Sequence, residues 1–256
     1  ATDNPVMLEY SQKDTLYVHS DTVKVITYHL NTDSVYRTAH CYNKVRAYRT
    51  DVQAVCDSLV YNTKDSCMTM YRDPIVWNGE RQLLGEEIRV YMKDSTIDRA
   101  HVINQALSAE LMPDKEHYNQ LASKEMFAFF TKGQIEETQA IGNVRSVYYP
   151  VDDKDSTLMG LVYIETDTMR MYMKDRQLQK IWTSKTDGTW YPMTQIPPNM
   201  YKLDGFTWFD YIRPLSKDDI YEWRGKKNGT QLKNISRHAA PLQRIEGNEI
   251  KQESLE

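Results

Sequence analysis

Little in this chain interrupts a backbone: 10 glycines and 9 prolines among 256 residues are few, which favours strands. Cysteine is scarcer still. Cys41, Cys56 and Cys67 form an odd set without C-x-x-C spacing, which argues against a zinc site and a disulfide framework and favours three small half-buried hydrophobes. A single Cys56–Cys67 bridge is the alternative. No apolar run approaches the roughly 18 residues of a spanning helix. Thirty-two basic and 36 acidic residues are interspersed, so there is no basic footprint for nucleic acid and no polybasic membrane patch. The N-terminus "ATDNPVMLEY" lacks a charged-then-apolar leader, so a soluble chain is expected, with any signal peptide removed or lying outside the sequence.

Recognisable catalytic phrases are missing too: there is no G-x-S-x-G, H-E-x-x-H, Walker A or Rossmann motif. The six histidines have no metal-ligand spacing, and His40 and His101 follow Ala39 and Ala100 as matching positions of a repeat. The acids of "PVDDKDS" (Asp152, Asp153, Asp155) lack the central glycine and distant glutamate of a calcium loop and read as a solvated loop. Glu86 with Glu87, and Glu136 with Glu137, could serve a glycosidase only by sharing a site. Neighbours on a strand point to opposite faces, so neither pair is expected to do so. No enzyme, cofactor or metal is expected.

What the chain has is tyrosine, 18 against 5 phenylalanines, with frequent valine and threonine, a strand-forming balance. It also has a repeat. "LVYNTKDSCM" (Leu59–Met68) and "IRVYMKDSTI" (Ile88–Ile97) are followed by "MFAFFTKGQI" (Met126–Ile135) and "MRMYMKDRQL" (Met169–Leu178). Each joins two apolar residues nine apart through Lys-Asp or Lys-Gly. A weaker copy starts at Val23, with its turn displaced by a few residues. Origins at 23, 59, 88, 126 and 169 are spaced 36, 29, 38 and 43 apart, a drift that a stack with variable loops tolerates.

Within each copy the alternation has period two. Ile88, Val90 and Met92 stand against Arg89 and Tyr91, and Met169, Met171 and Met173 against Arg170 and Tyr172. Each copy is therefore a strand, a tight turn and a return strand, with aliphatic and thioether groups inward and Arg and Tyr outward. An acid lies two positions before the origin in four copies: Asp21, Asp57, Glu86 and Asp167. Alternation would bury it, so the strand must bend or bulge there. "DVQAVC", with Val52, Ala54 and Cys56, leads into one such corner. A third Lys-Asp-Ser, Lys154–Ser156, is out of phase and reads as a chance match in a loop.

Two phrases, "YNKVRAYRTDVQAVCDSLVY" (Tyr42–Tyr61) and "IGNVRSVYYP" (Ile141–Pro150), resemble the G-N-V and apolar-x-A-D-x-Val/Leu signature of OstA/LptA-like lipopolysaccharide-transport proteins, in particular their larger Bacteroidetes-type variants. The likeness covers about Thr15 to Ser184, and Tyr-Asn-Lys-Val stands where the first Gly-Asn-Val would be. It implies an open, V-shaped antiparallel β-jellyroll in the periplasm, non-enzymatic, holding acyl chains between two sheets. It also implies partners in lipopolysaccharide transport and outer-membrane biogenesis, or further copies of the chain, joined by edge strands. The interior positions expected to meet lipid are Val23, Val25, Leu59, Tyr61, Met68, Ile88, Val90, Met92, Ile97, Met126, Ala128, Phe130, Ile135, Met169, Met171, Met173 and Leu178. A filled β-solenoid scaffold without lipid and a glycan-acting β-helix enzyme are the alternatives.

The expected organisation is a repeat domain over residues 1–184, an aromatic cap over 185–225 and a flexible tail over 226–256. In the cap, "SKDD" (Ser216–Asp219) is expected to open a short helix carrying Ile220 and Trp223. The cap would cover the last rung's apolar end, or else serve as a docking surface or a plug over the groove.

Overall fold

The computed structural model of the chain describes residues 1–10, 14–94, 96–152, 154, 157–174 and 177–226. It is an all-β, antiparallel protein, with 3-10 turns and no α-helix among the described residues. The strands are β1 (Val6–Glu9), β2 (Leu16–His19), β3 (Thr22–Tyr28), β4 (Tyr36–Tyr48), β5 (Gln53–Asn62), β6 (Cys67–Tyr71), β7 (Ile75–Asn78) and β8 (Arg81–Leu84). They continue with β9 (Glu87–Lys93), β10 (Thr96–Leu111), β11 (Tyr118–Thr131), β12 (Gln134–Tyr148), β13 (Gly160–Lys174), β14 (Gln177–Thr183) and β15 (Thr186–Pro192).

Hydrogen bonding runs in the order β1-β2-β4-β5-β6-β9-β10-β11-β12-β13-β14, with β3 on β4 and β15 on β13. Strands β7 and β8 pair with each other and join β5 to β10. Strands β5, β6, β9, β10, β8 and β7 thereby close a ring of six, and the other strands extend from it on both sides. One edge of β5 serves β7 with residues 53–55 and β6 with residues 58–62. The same edge-splitting in β10 serves β9 with 96–103 and β8 with 107–110. Each long strand thus has a hairpin half, running to the Lys-Asp and Lys-Gly tips, and a second half beyond a corner.

The acids mark that corner. Asp21 lies between β2 and β3 and Glu86 between β8 and β9, while Asp57 and Asp167 sit where the partner strands β4 and β12 lose register, between Tyr42 and Val45 and between Ile141 and Val144. Strands β10 and β11 shift register there as well. Asparagine recurs at the bends in the left-handed region: Asn43 at φ +62°, Asn104 at +57° and Asn143 at +49°, the last after Gly142 at +81°. At Gly142 a Cβ would lie 3.0 Å from that of Lys124, so the close crossing adds to the demand for glycine. The amides of Asp21 and Glu86 make equivalent bonds to the carbonyls of Asn43 and Asn104, both 3.1 Å.

The sequence origins become one line of side chains. Register places Val23, Cys41, Leu59, Met70, Ile88, Val102, Met126, Ala140, Met169 and Thr183 side by side across ten strands. The next inward line is Val25, Ala39, Tyr61, Met68, Val90, Ala100, Ala128, Thr138, Met171 and Ile181. At the tips, Met92 faces Ile97, Phe130 faces Ile135 and Met173 faces Leu178. Just after each of these three turns the register skips one residue: Asp98, Glu136 and Gln179 have no cross-strand partner. Each bulge switches parity, letting the odd-numbered Ile97 share a face with Ala100 and Val102.

The hairpin half packs against the second half through one core, with Leu59, Ile88, Met126 and Met169 meeting Val18, Val45, Ala54, Leu121 and Val144. All three cysteines are buried and free, and desolvation pushes the Cys41 thiol up to about 11. His40 and His101 stand in one outward line with Arg89, Phe127 and Arg170.

A second core lies on the outer face of the second half, and the aromatic segment covers it. The sheet itself runs past Ser184, because β15 pairs with β13 as far as Pro192. The strap that follows crosses back over the strands, burying Ile196, Leu203, Phe209 and Ile212 against Val55, Ile75, Trp77, Leu84, Leu107 and Leu161. It covers a sheet face and not the end of the last rung. Its turns are 3-10, at Met193–Gln195, Pro198–Met200, Asp210–Ile212 and Asp219–Tyr221, so the helix expected after Ser216 is a single 3-10 turn. Ser216 Oγ accepts the Asp219 N–H at 3.2 Å, and the Asp219 carboxylate takes the Leu215 N–H at 2.8 Å and Arg224, but the turn ends at Glu222, whose backbone is extended. Asp153 and the Asp155-Ser156 step of the out-of-phase motif lie outside the described residues, as does the tail beyond Lys226.

Buried glutamines hold the strap. Gln120 accepts from the Leu203 N–H at 2.8 Å and donates to the Tyr201 carbonyl at 2.8 Å. Gln82 does the same with Phe209 at 2.7 Å and Thr207 at 2.9 Å. Gln53 accepts from Arg213 Nε at 2.8 Å, and at the far end Arg46 donates to the Ile220 carbonyl. The amides of Gln120 and Gln82 satisfy strap backbone that would otherwise be buried unpaired, while Gln53 holds the strap through the Arg213 side chain.

Gln82→Leu keeps volume but orphans the Phe209 N–H and Thr207 carbonyl, and is expected to lower unfolding free energy by about 2–4 kcal/mol in a urea titration. Arg224 holds the Asp219 carboxyl below its ordinary 3.8. That contribution is present above this value and disappears as pH falls through the depressed one, so Asp219→Asn is expected to flatten the loss of urea midpoint between about pH 5 and pH 2.

Candidate functional site

Two concavities differ in chemistry. A hollow of about 710 Å³ opens where the ring of six parts at the corner, lined by Ser58, Tyr71, Arg72, Asp73, Glu86, Glu87, Ile103 and Asn104. Glu86 lies in a bend and not in a strand, so alternation fails there and both Glu86 and Glu87 reach this hollow, contrary to the expectation that they would not share a site. Their carboxylates have partners in place. Glu86 accepts from Asn104 Nδ2 at 3.1 Å and from Gln105, and Glu87 from Arg89 Nε at 2.6 Å. Carboxylates so held, Glu86 by two donors and Glu87 by one, are corner braces before they are acids or bases.

The second concavity, about 210 Å³, lies between the two halves. Leu59, Met70 and Ala54 form its buried floor, Tyr61, Met68 and Val90 its middle, and Met92 and Ile97 the hairpin-side lip. Leu16, Ala47, Val52 and Val76 supply the opposite wall. Burial falls away from the corner: Leu59 and Ile88 are each 1% exposed, whereas Tyr61, Val90 and Met92 are half-buried, so the two halves enclose a wedge that widens toward the hairpin tips. Apart from Tyr61, the polar side chains of the lining are Ser66 and Asp94 at the tips, Arg49 from the turn between β4 and β5, Gln53 at the start of β5, and Glu9 at the end of β1. Burial raises the Tyr61 hydroxyl above its usual value, and the carboxylates of Glu9 and Asp65 add to the shift.

Of the expected interior residues, Leu59, Tyr61, Met68, Val90, Met92 and Ile97 meet in this wedge. Ile88, Met126 and Met169 are on the same face but fully packed, so they are floor and not binding surface. Val23, Ala128, Phe130, Ile135, Met171, Met173 and Leu178 are half-buried on that face farther along, and Val25, 59% exposed, lies on the edge strand β3. The repeat alone missed Met70, Val76, Leu16 and Ala47. Met70 alternates with Met68, and Val76 lies in the apolar phrase "IVW", so both carried a signal. Among the described residues no cluster of His, Cys, Asp or Glu is arranged to hold a metal ion.

Depth along the wedge sets its sensitivity. Ile88→Ala, in the packed line, is expected to lower stability by about 2–4 kcal/mol. Val90→Ala, one line farther out, is expected to cost about 1 kcal/mol or less while enlarging the cavity, as compared in urea midpoints.

No family model matches the chain, and no curated protein matches it.

Proposed function

We propose that the protein is a non-enzymatic lipid carrier that takes acyl chains of lipopolysaccharide into the wedge between its two halves. In this reading the ring and its flanking strands are an open, V-shaped antiparallel jellyroll of the OstA/LptA-like kind, working in the periplasm toward the outer membrane. The observation that carries the proposal is the wedge. It is a continuous, mainly apolar face, closed at the corner and open at the hairpin tips, with most of its polar side chains at the rim, which is the form a hydrocarbon chain requires. Each methylene transferred from water contributes about 0.8 kcal/mol. Met68, Met70 and Met92 can adapt their unbranched side chains to an irregular guest. Among the described residues β1, β3, β14 and β15 each pair with a strand on one side only, although Ala1 bonds Val23 on β3, and these are edges at which further copies or other transport components would add.

A photocrosslinking residue at Val90, in cells that make lipopolysaccharide, tests the reading against an empty scaffold. Expected is lipid capture at Val90 and none at Arg89, the adjacent residue on the outward face. Equal capture at both, or capture only at Arg89, contradicts it.

A further inference from the structure

The wedge has a depth as well as a lining. Leu59 and Met70 floor it in register with Ile88, and all three are buried. From that line to the lip is four residues on β9, Ile88 to Met92, and four on β6 and its turn, Met70 to Ser66. At about 3.3 Å per residue, the floor lies roughly 13 Å below the lip. Crossing the strands gives no longer path. The middle line holds Tyr61, Met68 and Val90, two interstrand steps or roughly 10 Å, and Ala100, the next neighbour of Val90, is buried.

We propose that this depth selects acyl or alkyl chains by length, taking them in full up to about ten carbons and leaving the remainder of a longer chain in water. The proposal rests on the lipid-carrier reading and adds the length of the chain to it. An extended hydrocarbon advances roughly 1.25 Å per bond, given C–C bonds of about 1.5 Å at near-tetrahedral angles. A chain entering from the tips therefore meets the floor after about ten bonds. Each methylene that reaches apolar lining lowers the concentration needed for binding about four-fold, the equivalent of about 0.8 kcal/mol. Once the terminal methyl touches the floor, further methylenes stay at the mouth beside Ser66 and Asp94 and gain nothing. The floor resists a longer guest because Leu59, Met70 and Ile88 are packed into the common core. Ala54 is its smallest side chain, flanked on β4 and β7 by Ala47 and Val76 of the opposite wall, so its size sets how far the chain descends.

The test uses the full chain and a series of alkyl maltosides from hexyl to tetradecyl, whose shared uncharged head leaves only the tail to vary. Each is kept below its micelle concentration and read by displacement of an apolar fluorescent dye. Expected is a half-displacement concentration that falls about four-fold per carbon and then levels off between about eight and twelve carbons. Ala54→Leu raises the floor by two C–C bonds and is expected to bring the break to a chain about two carbons shorter. If the leucine variant does not fold, Ala54→Val is used, with a shift of about one carbon. Met92→Asn, at the lip, should raise the half-displacement concentration of every chain by a common factor and leave the break in place. A fall that continues unbroken to the tetradecyl compound, or a break that the substitution at Ala54 does not move, overturns the length selection and leaves the carrier reading standing. If no maltoside displaces the dye, the carrier reading fails and the length selection with it.

Discussion

Every long strand has to turn a corner while keeping one face apolar on both sides of it. Corner carboxylates on β5 and β13 and ahead of β3 and β9, with breaks in register on the long strands between, are the solution, and the rest of the molecule follows from it. Had Asp57 or Asp167 continued the alternation, each would point into the same dry interior that Leu59 and Met169 fill. Because the bends align from strand to strand, the two halves face each other. Packing between them is complete near the corner and incomplete toward the tips. The wedge is the geometric residue of that bend.

The corner also explains the ring. Between β5 and β10 the sheet divides into two short pairs, β6 with β9 and β7 with β8, one in each half. Elsewhere single long strands carry the bend through, by bulges at which an asparagine is left-handed in β4, β10 and β12, each time beside a second left-handed residue. The division leaves a gap in the ladder at the corner, and the hollow lined by Glu86, Arg72 and Asp73 is that gap. Its charged groups brace one another across broken strands, as Asp57 does when it takes both the Ser58 hydroxyl and Arg72.

Much of the hairpin half was legible in the sequence. Origins at Val23, Leu59, Ile88, Met126 and Met169 fall on one lateral line, and the Lys-Asp and Lys-Gly steps at 64–65, 93–94 and 132–133 are hairpin turns, with Lys132 and Gly133 both left-handed. That success has a physical cause: one face is buried and the other is not, so period two survives in the residue order. The second half was harder to read for the opposite reason. Its strands are buried on both faces, by the core on one side and the strap on the other, so Gln53, Ala54, Val55 and Cys56 are all buried and no alternation remains. The strap left no periodicity either. Its partners are the amides of Gln53, Gln82 and Gln120, and glutamine in a strand ordinarily reads as solvent-facing. The candidate site was half visible: the hairpin lip came from the repeat, and the opposing wall came from strands whose pattern the strap had erased.

The strap sets a limit of its own on the architecture. Gln120, Gln82 and Gln53 engage it at residues 201–203, 207–209 and 213, and successive anchors are two strands apart, a span of roughly 10 Å. A duplicated hairpin could lengthen the lateral lines of the sheet indefinitely, since each rung meets only its neighbours. The covering segment could not follow without gaining residues in step. It works as a measuring tape, and the number of strands this chain can wear beneath it is written in the spacing of its own backbone contacts.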